Sequence, residues 1–135
     1  MKIWIAGYIG SGKTSLAKTI GNVFSFDEIE MLLTKKGYQP KLLNNRQFKE
    51  VVAMEIRKLK EPIIEGIQCC DYYQKGDKVY FVKTNIFQSL KRCYQRDGKK
   101  KILRHLFDNY ILFHRFKILY IKAFINKDLI SDINT

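Results

Sequence analysis

The sequence predicts an α/β fold of three layers, α/β/α, built on a mostly parallel sheet of four or five strands. Three observations carry this. Short β-rich runs alternate with stretches of helical periodicity in the order β, α, β, α, β, β, α, and such alternation asks for parallel strands joined by crossover helices on both faces. The first run, Ile3-Trp4-Ile5-Ala6, is apolar at every position, the pattern of a strand buried on both sides. A chain of 135 residues, 46% apolar and 28% charged with only 2 Pro, is enough for one core and too short for a second module. Residues 1–135 are therefore expected to form a single domain.

Each element has its own signal. After the first strand a Gly-rich turn leads into a helix from Lys13 to about Ile20, which Gly21 stops. Asn22-Val23-Phe24-Ser25-Phe26 reads as a second strand ending at Asp27, and its mixture of apolar and small polar residues places it near the sheet edge. Between Asp27 and Leu43, breakers at Lys35-Lys36-Gly37 and Gln39-Pro40 leave room for one short helix and an exposed loop. Asn44 with Gln47 three residues on is a capping box, opening a helix that carries Phe48, Val52, Ile56 and Leu59 on one face and closes at Glu61-Pro62. Ile63-Ile64-Glu65-Gly66-Ile67 is the third strand and Lys78 to Lys83 the fourth. Thr84 or Asn85 then caps a helix with Phe87, Leu90 and Tyr94 on its apolar face. A C-terminal helix is expected near 104–126, with Leu106, Phe113, Phe116, Tyr120 and Phe124 as its stripe. Ile118-Leu119-Tyr120-Ile121 would also suit a short fifth strand.

Gly7-Tyr8-Ile9-Gly10-Ser11-Gly12-Lys13-Thr14 matches GxxxxGK[ST] in full, a pattern that a chain of this length meets by chance with odds on the order of one in a few hundred. Its setting between an apolar strand and a helix is what phosphate binding needs. Glycines let backbone N–H groups close around phosphate oxygens, and the helix N-terminus adds partial positive charge. Lys13 would reach the β- and γ-phosphates of ATP, and the Thr14 hydroxyl would ligate Mg²⁺.

With this motif the sequence resembles the P-loop NTPases, and within them the compact, adenylate-kinase-like group of nucleoside, nucleotide and small-metabolite kinases. "GYIGSGKTSLAK" is similar to the first turn of many of these, and the resemblance covers roughly residues 1 to 100. It implies a P-loop NTPase fold and transfer of the γ-phosphoryl group of ATP to a small hydroxyl or phosphate acceptor, a nucleoside or nucleotide being the first choice. It further implies roles for particular residues. Glu65 stands where the group carries a carboxylate near the metal, although the apolar run before it is only Ile63-Ile64 and follows Pro62. Asp27 stands where many of these kinases keep a carboxylate that takes the acceptor's proton, with Glu28 beside it; Asp27 would equally serve as a cap for the next helix. Arg92 and Arg96, four apart on one helix face, resemble lid arginines within a basic, lid-like segment near 92–104, and would otherwise pair with nearby carboxylates.

Charge and cysteine usage bound the setting. Lys+Arg 25 against Asp+Glu 13 gives +12, which favours an anionic partner. There are 11 basic and 7 acidic residues up to Gln68 and 14 and 6 after it, so +4 and +8. The basic second half keeps two alternatives open: a polynucleotide 5′-hydroxyl kinase or nucleic-acid-associated ATPase, and a nucleotide-binding regulator without transfer chemistry. Lys99, Lys100, Lys101 and Arg104 suit a solvated face or an anion-attracting rim. Cys69, Cys70 and Cys93 have no ligand or disulfide spacing, and the first residues hold too short an apolar run for a secretory leader, so a reduced, cytoplasmic protein without membrane partners is expected. GTPases are disfavoured, because NKxD and DxxG are both missing.

Overall fold

A computed structural model describes residues 1–8, 16, 19–82 and 86–130, Ile86 by its backbone alone. Its four strands are β1 (Ile3–Ala6), β2 (Val23–Ser25), β3 (Ile63–Glu65) and β4 (Lys78–Phe81), all parallel, in the order β2-β3-β1-β4. The all-apolar run is indeed central. Trp4, Ile5 and Ala6 have no exposed surface, and β2, the strand with mixed composition, lies at an edge.

The helices are α1 (Ile29–Lys35), α2 (Asn45–Lys58), α3 (Cys69–Tyr72), α4 (Ile86–Asp97) and α5 (Ile102–Ile125). The expected capping box opens α2: Asn44 Oδ1 accepts from Gln47 N at 2.8 Å, and Asn44 N donates to Gln47 Oε1 at 3.1 Å. Val52 and Ile56 are buried, with Phe48 and Leu59 packed beside them. At the far end Lys2 Nζ donates to the carbonyls of Leu59 (2.6 Å) and Glu61 (2.9 Å), placing a cation where the helix leaves carbonyls unpaired.

The strands' amino ends are tied by one carboxylate. Asp77, nearly fully buried, accepts from Lys2 N and Trp4 Nε1 (3.1 Å each), Gln74 N (3.1 Å) and Arg57 Nη1 and Nη2 (2.7 and 2.8 Å). Next to it Asp128, also buried, accepts from the Tyr73 hydroxyl and from Gly76 N at 2.9 Å.

Several expected boundaries and faces are corrected. β2 stops at Ser25 because Phe26–Glu28 turn into a 3-10 helix, β3 stops at Glu65, and β4 ends at Phe81. On α4 the buried residues are Ser89 and Cys93, while Phe87 is 80% exposed and Tyr94 also faces out. The cap expected at Thr84 or Asn85 lies outside the described residues. On α5 the core stripe is Asn109, Leu112, Phe116, Leu119 and Ala123, so of the expected stripe only Phe116 is buried. The helix is apolar on most of its circumference, and its sequence does not single out one face. Residues 118–121 are helical, so no fifth strand forms there; instead Leu129 bridges Val79 in parallel, with Val79 N to Asp128 O at 2.9 Å and Ile130 N to Val79 O at 3.0 Å. A fifth strand is thus reduced, among the described residues, to a single pairing.

Candidate phosphoryl-transfer site

The carboxyl ends of parallel strands are where open α/β sheets bind ligands, and of the predicted residues Gly7, Tyr8, Asp27 and Glu65 are placed there. β1 ends at Ala6 and passes through buried Gly7 to Tyr8. Ile9, Gly10, Ser11, Gly12, Lys13 and Thr14 lie outside the described residues; Leu16, Thr19 and Ile20 beyond them are helical, and Gly21 ends that helix at φ +73°. The motif is therefore flanked by strand and helix as its chemistry requires.

Glu65 is aligned in register with Ser25 on β2 and with Ile5 on β1. It is 3% exposed, and its Oε1 accepts from Ser25 Oγ at 2.7 Å. Among the described residues it makes no ion pair. Among the described residues the carboxylate is thus neither in solvent nor in a surface salt bridge. Gly66 follows, and a Cβ there would lie 2.8 Å from Phe26 Cβ and 2.6 Å from Gln68 Oε1. Only glycine lets the chain leave β3 this close to the turn after β2.

That turn holds Asp27. It is exposed, and it does not cap α1, whose N-cap is Glu28 with no side-chain cap bond. Asp27 instead lines an open cleft of about 510 Å³ with Glu30, Asn45, Lys49, Gln68 and Asp71. Phe26, Phe48 and Tyr72 supply its apolar wall, the rings of Phe26 and Tyr72 stacked at 5.4 Å. Asp71 is also held by Arg115, whose Nη2 donates to Oδ1 at 2.5 Å. On the other side of β1 a second, apolar cleft of about 440 Å³ opens between Gly7, Tyr8, Phe81 and α5. Its floor is an aromatic cluster, Tyr8 and Phe81 meeting Phe116 at 5.4 and 5.7 Å, and burial there pushes the Tyr8 hydroxyl pKa up.

Arg92 and Arg96 are both exposed on α4. Arg96 donates to Asp97 Oδ2 from Nε (3.1 Å) and Nη2 (3.0 Å), and His105 Nε2 meets the same oxygen at 2.8 Å. The Arg96 hydrogen bond holds the Asp97 carboxyl below the usual carboxylate range, and Asp97 in turn raises Arg96. The carboxylate-paired alternative therefore describes Arg96 as it stands. Lys99, Lys100 and Lys101 are a solvated turn, and Arg104 pairs loosely with Asp108 at 3.9 Å.

Lys49, Gln68 and Asp71 were not among the residues the sequence singled out. The only local signal was the spacing of Asn45 and Lys49, which puts both on one face of the first turn of α2; Gln68 and Asp71 reach the cleft only through tertiary packing. Among the described residues, no group of three His, Cys, Asp or Glu side chains could hold a metal, and no helix is long and apolar enough to cross a membrane. None of the three cysteines is in a disulfide.

Four parallel strands in the order β2-β3-β1-β4, with the GxxxxGK[ST] motif following β1, form a P-loop type of α/β fold. Two solved structures show the same fold. The shikimate kinase from Bacteroides thetaiotaomicron is 19% identical, with 95% of this chain and 82% of that one covered at a TM-score of 0.51. The shikimate kinase from Acinetobacter baumannii in complex with shikimate is 14% identical, with 99% and 84% covered at a TM-score of 0.53. No family model and no curated protein sequence matches the chain, so the likeness is one of structure.

Proposed function

We propose that this chain is an ATP-dependent phosphotransferase that moves the γ-phosphoryl group onto a hydroxyl of a small molecule held in the Asp27 cleft. The observation that carries the reading is the complete Gly7–Thr14 motif at the end of the central strand, with a carboxylate-bearing cleft two strands away. At the usual strand spacing that is about 10 Å, a distance that a triphosphate and an acceptor span together. ATP would lay its base in the apolar cleft beside Tyr8 and its phosphates on the loop, with Lys13 against the β- and γ-oxygens. Asp27 would take the acceptor's proton. Phosphoryl transfer is mostly positioning and charge stabilisation, so one carboxylate within reach of the hydroxyl suffices.

Mg²⁺ is commonly held by one or two carboxylates plus substrate phosphates rather than by a cage of side chains, and Glu65, buried and with no ion pair among the described residues, fits that donor set. Thr14 and Glu65 would hold the ion, which when bound neutralises phosphate charge. Arg92 and Arg96 would meet the charge spread over the transferring group, Arg96 exchanging Asp97 for phosphate oxygens. A nucleoside suits the three aromatic walls of the acceptor cleft. Three cysteines outside any disulfide suit a reduced, cytoplasmic setting.

The test is transfer of radiolabelled γ-phosphate from ATP to a panel of hydroxyl compounds, with calorimetric ATP binding alongside. Lys13→Ala should lose most ATP affinity and all measurable transfer; equal binding by wild type and variant would sink the reading. The exposed Lys99–Lys101 turn supports a second acceptor, a polynucleotide 5′-hydroxyl, whose turnover would fall steeply as salt rises.

A further inference from the structure

The chain carries +12 overall and has only 13 carboxylates, yet three of them, Asp27, Glu30 and Asp71, line the proposed acceptor cleft, against a single cation, Lys49. This inverts the charge of the rest of the molecule. Among the described residues no arginine lines the cleft, and the Arg115 guanidinium is engaged by Asp71 at 2.5 Å. A phosphate or carboxylate on the acceptor would normally be met by a bidentate arginine; here it would meet acidic oxygens.

What the cleft does offer is hydrogen bonding. Asn45 and Gln68, two amide side chains, are part of its lining. Carboxylates add only accepting oxygens, so Asp27 and Glu30 call for donors, while Asp71 already accepts from Arg115.

From this lining we infer that the acceptor is a polyhydroxyl compound without negative charge, neutral or bearing an amine, rather than a nucleotide or a hydroxy acid. The inference rests on the phosphotransferase reading and narrows it. It removes the nucleotide from the nucleoside-or-nucleotide pair, and it separates this chain from the structural neighbour that binds shikimate, whose ligand carries a carboxylate. Lys49 is the one cation among the described lining residues, outnumbered by the three carboxylates.

The experiment pairs acceptors that differ mainly in charge: adenosine with AMP, glucosamine with gluconate, and myo-inositol with shikimate, each assayed for label transfer from ATP by the full chain. The uncharged or amine-bearing member of each productive pair should have the higher kcat/KM by at least about tenfold, the ratio that accompanies about 1.4 kcal/mol of charge discrimination. Glu30→Lys, on the exposed face of α1, should narrow that ratio by about tenfold or reverse it while ATP affinity stays unchanged. A wild-type preference for the anionic members, or a Glu30→Lys variant with the wild-type ratio, would overturn the charge assignment and leave the phosphotransferase reading standing. Calorimetric ATP binding without transfer to any member would overturn both.

Discussion

Replacing Asp77 with Ala removes the acceptor for five donors at once, and its cost can be worked from their environment. Two of the five are the Arg57 guanidinium N–H groups, at 2.7 and 2.8 Å on a side chain 28% exposed; the others are two backbone N–H groups and the indole of fully buried Trp4. Breaking a buried ion pair from one side costs about 3–5 kcal/mol, because the remaining charge stays without its partner. For a chain of this length that is a fall of roughly 10–20 °C in Tm. Urea and thermal unfolding, followed by the fluorescence of the single tryptophan, would measure it. The pH dependence has a definite sign. Burial pushes the Asp77 carboxyl up, but the hydrogen bonds from Arg57, Lys2, Trp4 and Gln74 outweigh it and hold the pKa below the usual range. The stabilisation is therefore complete above the unfolded value near pH 4 and drains away as the pH falls through the lower folded value. Asp77→Ala should flatten this acid limb. A variant within about 1 kcal/mol of wild type at pH 7 would refute the claim that one carboxylate holds the amino ends of the strands together.

Asp27→Asn should keep ATP binding and lower transfer by roughly 10²–10⁴-fold, the contribution typical of a general base; wild-type turnover would move the role to Glu28 or Glu65. Gly66→Ala should destabilise by about 1–3 kcal/mol, since its new methyl must displace Phe26 and Gln68, and an unfolding curve that overlays wild type would contradict the packing described. Arg92→Ala and Arg96→Ala should each reduce kcat more than they raise the KM for ATP. Unchanged turnover with weakened binding would make them ground-state anchors. Asp97→Asn is expected to release Arg96 without loss of fold, because the pair is surface-exposed.

Features decided within a few residues of one another were legible. The four apolar residues of β1 announce a buried central strand, Asn44 and Gln47 announce the start of α2, and the polar content of β2 places it at the edge. The faces of α4 and α5 were not legible, for a physical reason. Small or polar residues, Ser89, Cys93 and Asn109, occupy the buried positions, while Phe87, Phe107 and Phe124 point outward; a search for hydrophobic periodicity follows the aromatics and selects the wrong stripe. Asp77 was equally hidden. It lies 75 residues from Lys2 and 20 from Arg57, and nothing local marks it. The phosphate-loop motif and Asp27 could be read because each sits next to a strand end, whereas Lys49 on α2 and Gln68 and Asp71 at α3 come from two stretches of chain that meet only in the folded cleft.

The anchoring carboxylates and the acceptor cleft lie at opposite ends of the strands. Asp77 and Asp128 are gathered where the strands begin, and Asp27, Gln68 and Asp71 where they end or just beyond. Substitutions well separated in space, with no shared partners, act nearly additively on stability. Drift in the cleft can therefore change which hydroxyl compound is accepted while drawing little on the bonds that keep the sheet assembled. Selection could then retune specificity and fold stability as two largely separate traits, and a directed-evolution library confined to positions 27, 30, 45, 49, 68 and 71 would exploit that separation.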